Sequence, residues 1–285
     1  MTQPATAPIL FDRSLLALRQ RRAARAPETF LLERVAEDLV DRLAAVNRSF
    51  QSAADIWTPG NGLKPHLAGQ VAELAHVASS DTAAETLPLQ PQSLDLAVSA
   101  LAFQFVNDLP GLLVQIRRAL RPDGLLLAAM VGGDTLTELR QSFAAAEAEC
   151  EGGVSPRVAP FADLRDIGGL LQRAGFALPV TDVDRVVVRY ASAFGLMQDL
   201  RRMAATNSLV ERRRTPLRRA TLLRMAEIYA ERFADADGRL RATFDIIWIS
   251  GWAPHESQQK PLKPGSATAS LEAAVKRVPH SNEGD

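Results

Sequence analysis

One cysteine, Cys150, occurs in 285 residues. No intrachain disulfide and no thiolate zinc site can form from it, and a cytosolic compartment is expected. Histidine is almost as scarce, with His66, His76, His255 and His280 alone. No compact His/Asp/His facial triad appears among them, so no metal is expected. There is no net charge: 33 Lys and Arg balance 33 Asp and Glu. Aromatics make up 6% of the chain and do not interleave with the arginines; without a recognisable DNA- or RNA-binding motif, no nucleic-acid partner is expected. No apolar run approaches the about 18 residues that would cross a bilayer. The opening MTQPATAPILFD lacks a basic region followed by an apolar stretch and a cleavage site, so no signal peptide is expected. The Arg/Ala-rich stretch from Arg13 to Ala26 imitates a transit peptide, yet it runs straight into a helical pattern and reads as a helical arm.

What is present is an ordinary apolar content of 47%, ample for a core without staples. Although the total charge is zero, the arginines are clustered. Six lie between Arg13 and Arg34, and eight between Arg201 and Arg224, against Glu211 alone in the second stretch. These clusters are either solvated helix faces or surfaces for an acidic protein or an anionic membrane.

The hydrophobic pattern predicts an α/β chain. Helix is expected from Phe11 to Val46, restarting near Pro27, with Phe30, Leu31, Val35, Leu39 and Leu43 on one stripe. Ala53 to Trp57 is a strand ending in the turn Thr58-Pro59-Gly60-Asn61-Gly62, followed by a helix over Lys64 to Ala75 and a short strand from His76 to Ser80. Ser93 to Leu101 has the near-continuous apolar character of a buried parallel strand. Pro110 opens a helix that buries Leu112, Leu113, Ile116 and Leu120; Arg121-Pro122-Asp123-Gly124 ends it, and Leu125 to Met130 is the next strand. Asp134 or Thr135 can cap a helix running to Cys150. Further helices are expected over Phe161 to Ala174, Ala193 to Ala205 and Pro216 to Phe233, with strands over Thr181 to Tyr190 and Ala242 to Trp252. The expected organisation is a helical arm over 1–50, a domain over 51–271 with a helical insertion at about 191–236, and a disordered tail over 272–285.

In doubly wound sheets a ligand binds beyond the carboxyl ends of the strands. The first strand ends at Asp55, and Gly60-Asn61-Gly62 is a loop whose free amides could receive a cofactor. The segment AETLPLQPQSLDLAVSALAFQFVNDLPGLLVQIRRALRPDGLLLAA, from Ala84 to Ala129, resembles the centre of class I S-adenosylmethionine-dependent methyltransferases of the malonyl-carrier type in biotin synthesis. More particular pieces are Phe11-Asp12-Arg13, Gly132-Gly133-Asp134-Thr135-Leu136, Glu151-Gly152-Gly153, Arg173-Ala174-Gly175-Phe176, Gly251-Trp252, His255-Glu256-Ser257-Gln258 and Gly265-Ser266-Ala267-Thr268. Together these resemble the methyltransferase-like assembly factors of respiratory complex I. That resemblance implies a class I methyltransferase-like, Rossmann-like open sheet. It also implies S-adenosylmethionine as cofactor, a complex I subunit or other protein as partner, and hydroxylation of an arginine as the activity attributed to the mitochondrial members.

The chain departs from the family pattern at the cofactor loop. An acid and an apolar residue are usually followed by Gly-x-Gly-x-Gly; here Asp55-Ile56 is followed by Trp57-Thr58-Pro59. Trp57 takes the first glycine position and Pro59, which has no amide donor, the next. Gly60 and Gly62 are displaced by one residue. Asp81 is the acid placed after the first helix, and the third-strand region already begins at Ala84-Glu85. Two residues cannot hold a parallel crossover, which needs about a dozen, so one strand–helix unit is missing or shortened. Asp81 is either the ribose acid or a remnant of the adenine-side acid.

The candidate cofactor residues are therefore Asp55, Gly60, Gly62, Asp81, Glu85 and Asn107. The candidate catalytic residues are Gln104, beyond the strand at Leu101, Asp134, which orients a cationic substrate or caps a helix, and His255, which belongs to an acid/base pair with Glu256 or anchors a loop. Three readings follow: a pseudo-enzyme of the assembly-factor type with weakened or lost S-adenosylmethionine binding, an active S-adenosylmethionine-dependent methyltransferase, and a protein arginine hydroxylase. The expected location is cytoplasmic, with peripheral contact at the inner face of a membrane through the arginine clusters.

Overall fold

The computed structural model describes residues 9–60, 62–79 and 85–258. The chain divides into a unit of residues 1–254 and a second unit from residue 255 onward. Of the second unit only residues 255–258 are described. They form a turn in which His255 Nδ1 lies 2.7 Å from Ser257 Oγ. The expected tail over 272–285 lies outside the described residues.

Two helices open the first unit. α1, Arg13–Ala23, is capped by the Asp12 carboxylate, which accepts from the Leu15 amide. α2, Phe30–Ala44, buries Leu31, Val35, Ala36, Leu39 and Leu43, the stripe that the sequence spacing predicts. The strands are β1, Phe50–Ile56; β2, Val71–Val77; β3, Leu94–Ala100; β4, Leu120–Gly132; β5, Ala177–Tyr190; and β6, Leu240–Trp252. A single 3-10 turn, Phe103–Phe105, follows β3. The remaining helices are α3, Leu109–Ala119; α4, Thr137–Glu151; α5, Leu164–Arg173; α6, Ala193–Arg202; and α7, Arg219–Phe233.

The strands form one sheet in the order β2-β1-β3-β4-β6-β5. β2, β1, β3 and β4 pair in parallel, whereas β6 is antiparallel to both β4 and β5. β1 leads to β2 on one side and lies beside β3 on the other, so the order reverses between β1 and β3. A ligand crevice belongs at the carboxyl ends of that pair. Two apolar layers sandwich the sheet. One holds side chains of α2, α4, α6 and α7, the other those of α3 and α5. Successive residues of β1 divide between them: Ala53 enters the first, Ala54 the second.

Several sequence expectations change. No helix forms over Lys64 to Ala75. Residues 62–67 make turns, and Val71–Val77 is a strand paired with β1 from Phe50↔Val71 to Ile56↔Val77. Pro65 and Gly69, the latter at φ +88°, interrupt the helical stretch, while Leu63 and Leu67 are buried without it. Among the described residues no strand lies between Val77 and Leu94, which leaves six strands. Neither Asp134 nor Thr135 caps α4. Its N-cap is Leu136 at φ 54°, which makes no side-chain cap bond. Leu120 begins β4 instead of closing α3, and the strand then runs through the expected Arg-Pro-Asp-Gly turn. α5 starts at Leu164, where Asp163 caps it by accepting from the Arg165 amide.

Candidate functional site

A cavity of about 760 Å³ lies at the carboxyl ends of the parallel strands. Trp57 and Thr58 after β1, His76 on β2, Leu101 after β3 and Val131 on β4 contribute to its wall. α1 and α6 close it through Leu16, Gln20, Met197 and Leu200. The lining is mostly apolar.

The loop after β1 decides the character of this cavity. Trp57 has φ 63°, the left-handed conformation that a first glycine would adopt freely and a tryptophan adopts under strain. Its amide donates to the Val77 carbonyl at 2.9 Å, and its ring is buried in the α3 and α5 layer. Thr58 is also buried. Its hydroxyl oxygen accepts from the Ala100 amide at 2.9 Å, tying the loop to β3. Gly60 has φ +65°, and a Cβ there would meet nothing within 4 Å. Glycine is needed there for the backbone and not for close approach. A Cβ on Gly62 would stand 2.7 Å from Leu32 Cδ2, so this glycine lets α2 pack against the loop.

Asp55, buried beneath the loop, places Oδ2 3.1 Å from His76 Nδ1 on β2. Burial raises its pKa above the ordinary carboxylate value, and hydrogen bonds from Thr58 and His76 offset only part of that.

The other sequence candidates separate. Gln104 lines the cavity; its Nε2 donates to the Leu101 carbonyl at 2.6 Å, and its Oε1 has no partner among the described residues. Glu85 and Asn107 do not line it. Glu85 accepts from the Asn107 amide at 2.9 Å and the Asp108 amide at 2.8 Å. Asn107 Oδ1 accepts from the amides of Leu10 and Phe11 at 2.8 and 2.7 Å. Both side chains fasten the segment before α1 to the loop after β3. Asp134 is 66% exposed and lies off the cavity, with Oδ2 2.7 Å from Arg185 Nη2. Arg185 also forks onto both oxygens of buried Asp245, at 2.7 and 2.8 Å. His255 belongs to the second unit, and Asp81 lies outside the described residues.

Sequence reasoning missed Arg13. It is 7% exposed and reaches from α1 across the ends of three strands. Its Cζ lies 5.2 Å from the Trp57 ring centroid, Nη2 donates to Ser79 Oγ at 2.6 Å, and Nη1 donates to the Phe105 carbonyl at 3.3 Å. Nε is 3.6 Å from Glu85 Oε1. Burial lowers the Arg13 pKa, and the Glu85 charge opposes that. The one available signal was its place in Phe11-Asp12-Arg13. Phe11 packs edge-on against Phe105 at 5.9 Å, and Asp12 both caps α1 and meets Arg212 at 3.2 Å.

A family model described as a methyltransferase domain matches residues 37–128. The mitochondrial arginine-hydroxylase NDUFAF5 of Danio rerio is 38% identical over 284 residues, covering 92% of this chain and 88% of its own. That of Homo sapiens is 39% identical over 292 residues, covering 95% and 84%. The chain belongs to the NDUFAF5 family. A malonyl-[acyl-carrier protein] O-methyltransferase of Laribacter hongkongensis is 39% identical over 181 residues, which cover 64% of this chain and 58% of that protein. Among solved structures, a candidate methyltransferase of Bacillus halodurans superposes with a TM-score of 0.51 at 14% identity, over 76% of this chain and 99% of its own. That likeness shows the class I methyltransferase fold, and the NDUFAF5 family is built on it here with six strands.

Proposed function

We propose that this member of the NDUFAF5 family is an assembly-factor-type protein that works on or with a protein partner, of the respiratory complex I subunit class, and that it has given up ordinary S-adenosylmethionine binding. The observation that carries the second half is Trp57. It keeps the left-handed conformation of the missing glycine but puts a buried indole where cofactor and backbone would meet. Three further features point the same way. Pro59 offers no amide. Among the described residues no helix follows the loop, so no helix N-terminus aims its amides at a ligand. Arg13 brings a cation to the ends of β1 and β2, where a cofactor with a net positive charge, from a sulfonium, an ammonium and a carboxylate, would have to sit. The residues present do not fit the cofactor in its usual pose, and the loop geometry supports no methyl-transfer step.

Titration calorimetry with S-adenosylmethionine and S-adenosylhomocysteine tests this half, with no saturable heat expected. A saturable isotherm abolished by Gly60→Trp would restore the methyltransferase reading. Cross-linking in native membrane extract followed by mass spectrometry tests the other half. It should recover one respiratory-chain subunit reproducibly, and its absence would remove the assembly reading. A second reading, hydroxylation of an arginine on that partner, is favoured by the name its relatives carry. It predicts a gain of one oxygen atom on a partner arginine, and the two-electron oxidation requires dioxygen and an electron donor supplied from outside the chain. Among the described residues no helix is long and apolar enough to cross a membrane, and none of their His, Cys, Asp and Glu side chains group in threes that could hold a metal ion.

A further inference from the structure

The cavity is roomy and apolar at a loop that no longer suits the usual cofactor. Its deep wall consists of Leu16 from α1, Leu31 from α2, Leu139 and Phe143 from α4, and Leu200 from α6, all of them buried. At about 760 Å³ it is large enough to enclose a small ligand. Against such a wall ordered water finds few hydrogen-bond partners, so an apolar occupant is favoured.

The wall becomes cationic at one mouth. Ala24, Pro27 and Arg201 line the cavity and are also exposed, which sets this mouth beside the C-terminal ends of α1 and α6. Among the described residues Glu28 is the only carboxylate on the wall, and Arg202 holds it at 2.9 Å. A third arginine of the wall, Arg157, donates from Nε to Glu147 at 2.7 Å. Arg201 alone of the three has no ion pair or side-chain hydrogen bond with the described residues. Ser208 comes to the same wall from the segment after α6. It is 1% exposed, and its hydroxyl has no partner among the described residues. A buried hydroxyl left without a partner is costly, and an anionic oxygen is the acceptor it bonds best. A free cation and an unsatisfied donor beside an apolar interior are the complement of an amphiphile.

We propose that the cavity binds an amphiphile with one long apolar chain and an anionic head, a carboxylate or a phosphate. The chain lies against the leucines, and Arg201 and Ser208 bind the head. This ligand is neither the methyl-donor cofactor nor the protein partner. The calorimetry with S-adenosylmethionine and the cross-linking can therefore fail without it, and it without them.

The test is calorimetry on the full chain with octanoate, decanoate and dodecanoate, each below its micelle concentration, and with 1-decanol as the uncharged control. Saturable binding should strengthen about fourfold per added methylene, because each one enters the apolar interior. Arg201→Glu should weaken decanoate about tenfold and leave decanol unchanged. Ser208→Ala should also weaken decanoate without lowering the melting temperature of the free protein, since it removes an unpartnered hydroxyl. Met197→Trp narrows the cavity and should weaken every chain together. Arg201 is exposed and unpaired, so its variant folds whether or not the tryptophan variant does. An affinity that stays flat along the series overturns the proposal, as does decanoate binding that is indifferent to Arg201→Glu. Vesicles of phosphatidylcholine with phosphatidylglycerol separate the two sources of such a chain. Flotation of wild type but not of Arg201→Glu assigns it to a bilayer lipid, and decanoate binding without flotation assigns it to a free acyl anion.

Discussion

Arg13 Cζ stands 5.2 Å from the centroid of the Trp57 ring, and Trp57 itself holds a φ of 63°. A non-glycine residue in that conformation costs about 1 kcal/mol or more, while truncating a buried tryptophan typically costs about 3–5 kcal/mol. The packing term is larger. Trp57→Gly should therefore be destabilised by about 2–3 kcal/mol despite relief of the strain, as read from urea unfolding. A variant as stable as wild type would mean that the indole contributes no packing.

Arg185 joins exposed Asp134 to buried Asp245. Burial pushes the Asp245 pKa up, but bonds from Arg185 and the Asp134 amide outweigh it and hold the carboxyl below its ordinary value. This contribution is present above the ordinary carboxylate range and lost as pH falls through the lower folded-state value. Arg185→Ala strands the buried carboxylate and should cost about 2 kcal/mol, with the half-exposed arginine allowed for. Asp134→Ala should cost about 0.5 kcal/mol or less. Urea midpoints at neutral pH check both, and equal losses would contradict this division of roles.

Asp55 carries the opposite sign. Its raised pKa means that the fold prefers the protonated form. That contribution is complete below the ordinary value of 3.8 and is lost as pH rises through the higher folded-state value. Asp55→Asn removes the dependence, so its stability relative to wild type should climb with pH from 3.8 upward. Denaturation midpoints at stepped pH measure this; a flat difference would show that Asp55 titrates normally.

Part of the second arginine cluster forms ion pairs within the fold. Arg212 meets Asp12, Arg213 meets Glu151, and Arg224 meets Glu149, Glu227 and Glu231. Arg212→Ala should loosen α1, costing about 1 kcal/mol or less. Hydrogen exchange should quicken in Arg13–Ala23 while α2 stays unchanged. Unaltered exchange in α1 would show that the Asp12 pair does not anchor the helix.

Where a side chain's role depends on its near neighbours in sequence, the residues announced it. The α2 stripe from Leu31 to Leu43 follows helical spacing. Trp248 and Trp252, two turns of the β alternation apart, both pack into the layer beneath α2. The stretch from Lys64 to Ala75 failed because its apolar residues fit a helix about as well as a strand. Pairing with β1 settled the matter through hydrogen bonds to residues 21 positions away, as in Ile56↔Val77.

The amino-acid sequence alone determined the α/β class, the altered cofactor loop and the missing or shortened strand–helix unit, because glycine, proline and hydrophobic period act locally. Tertiary structure alone decided that Glu85 and Asn107 fasten the N-terminal segment and that Asp134 joins an ion cluster off the cavity. It also decided that Arg13, one cation in an arginine-rich helix, is the one laid across Trp57. Those roles depend on which distant side chain supplies a partner after burial, and no spacing along the chain encodes that.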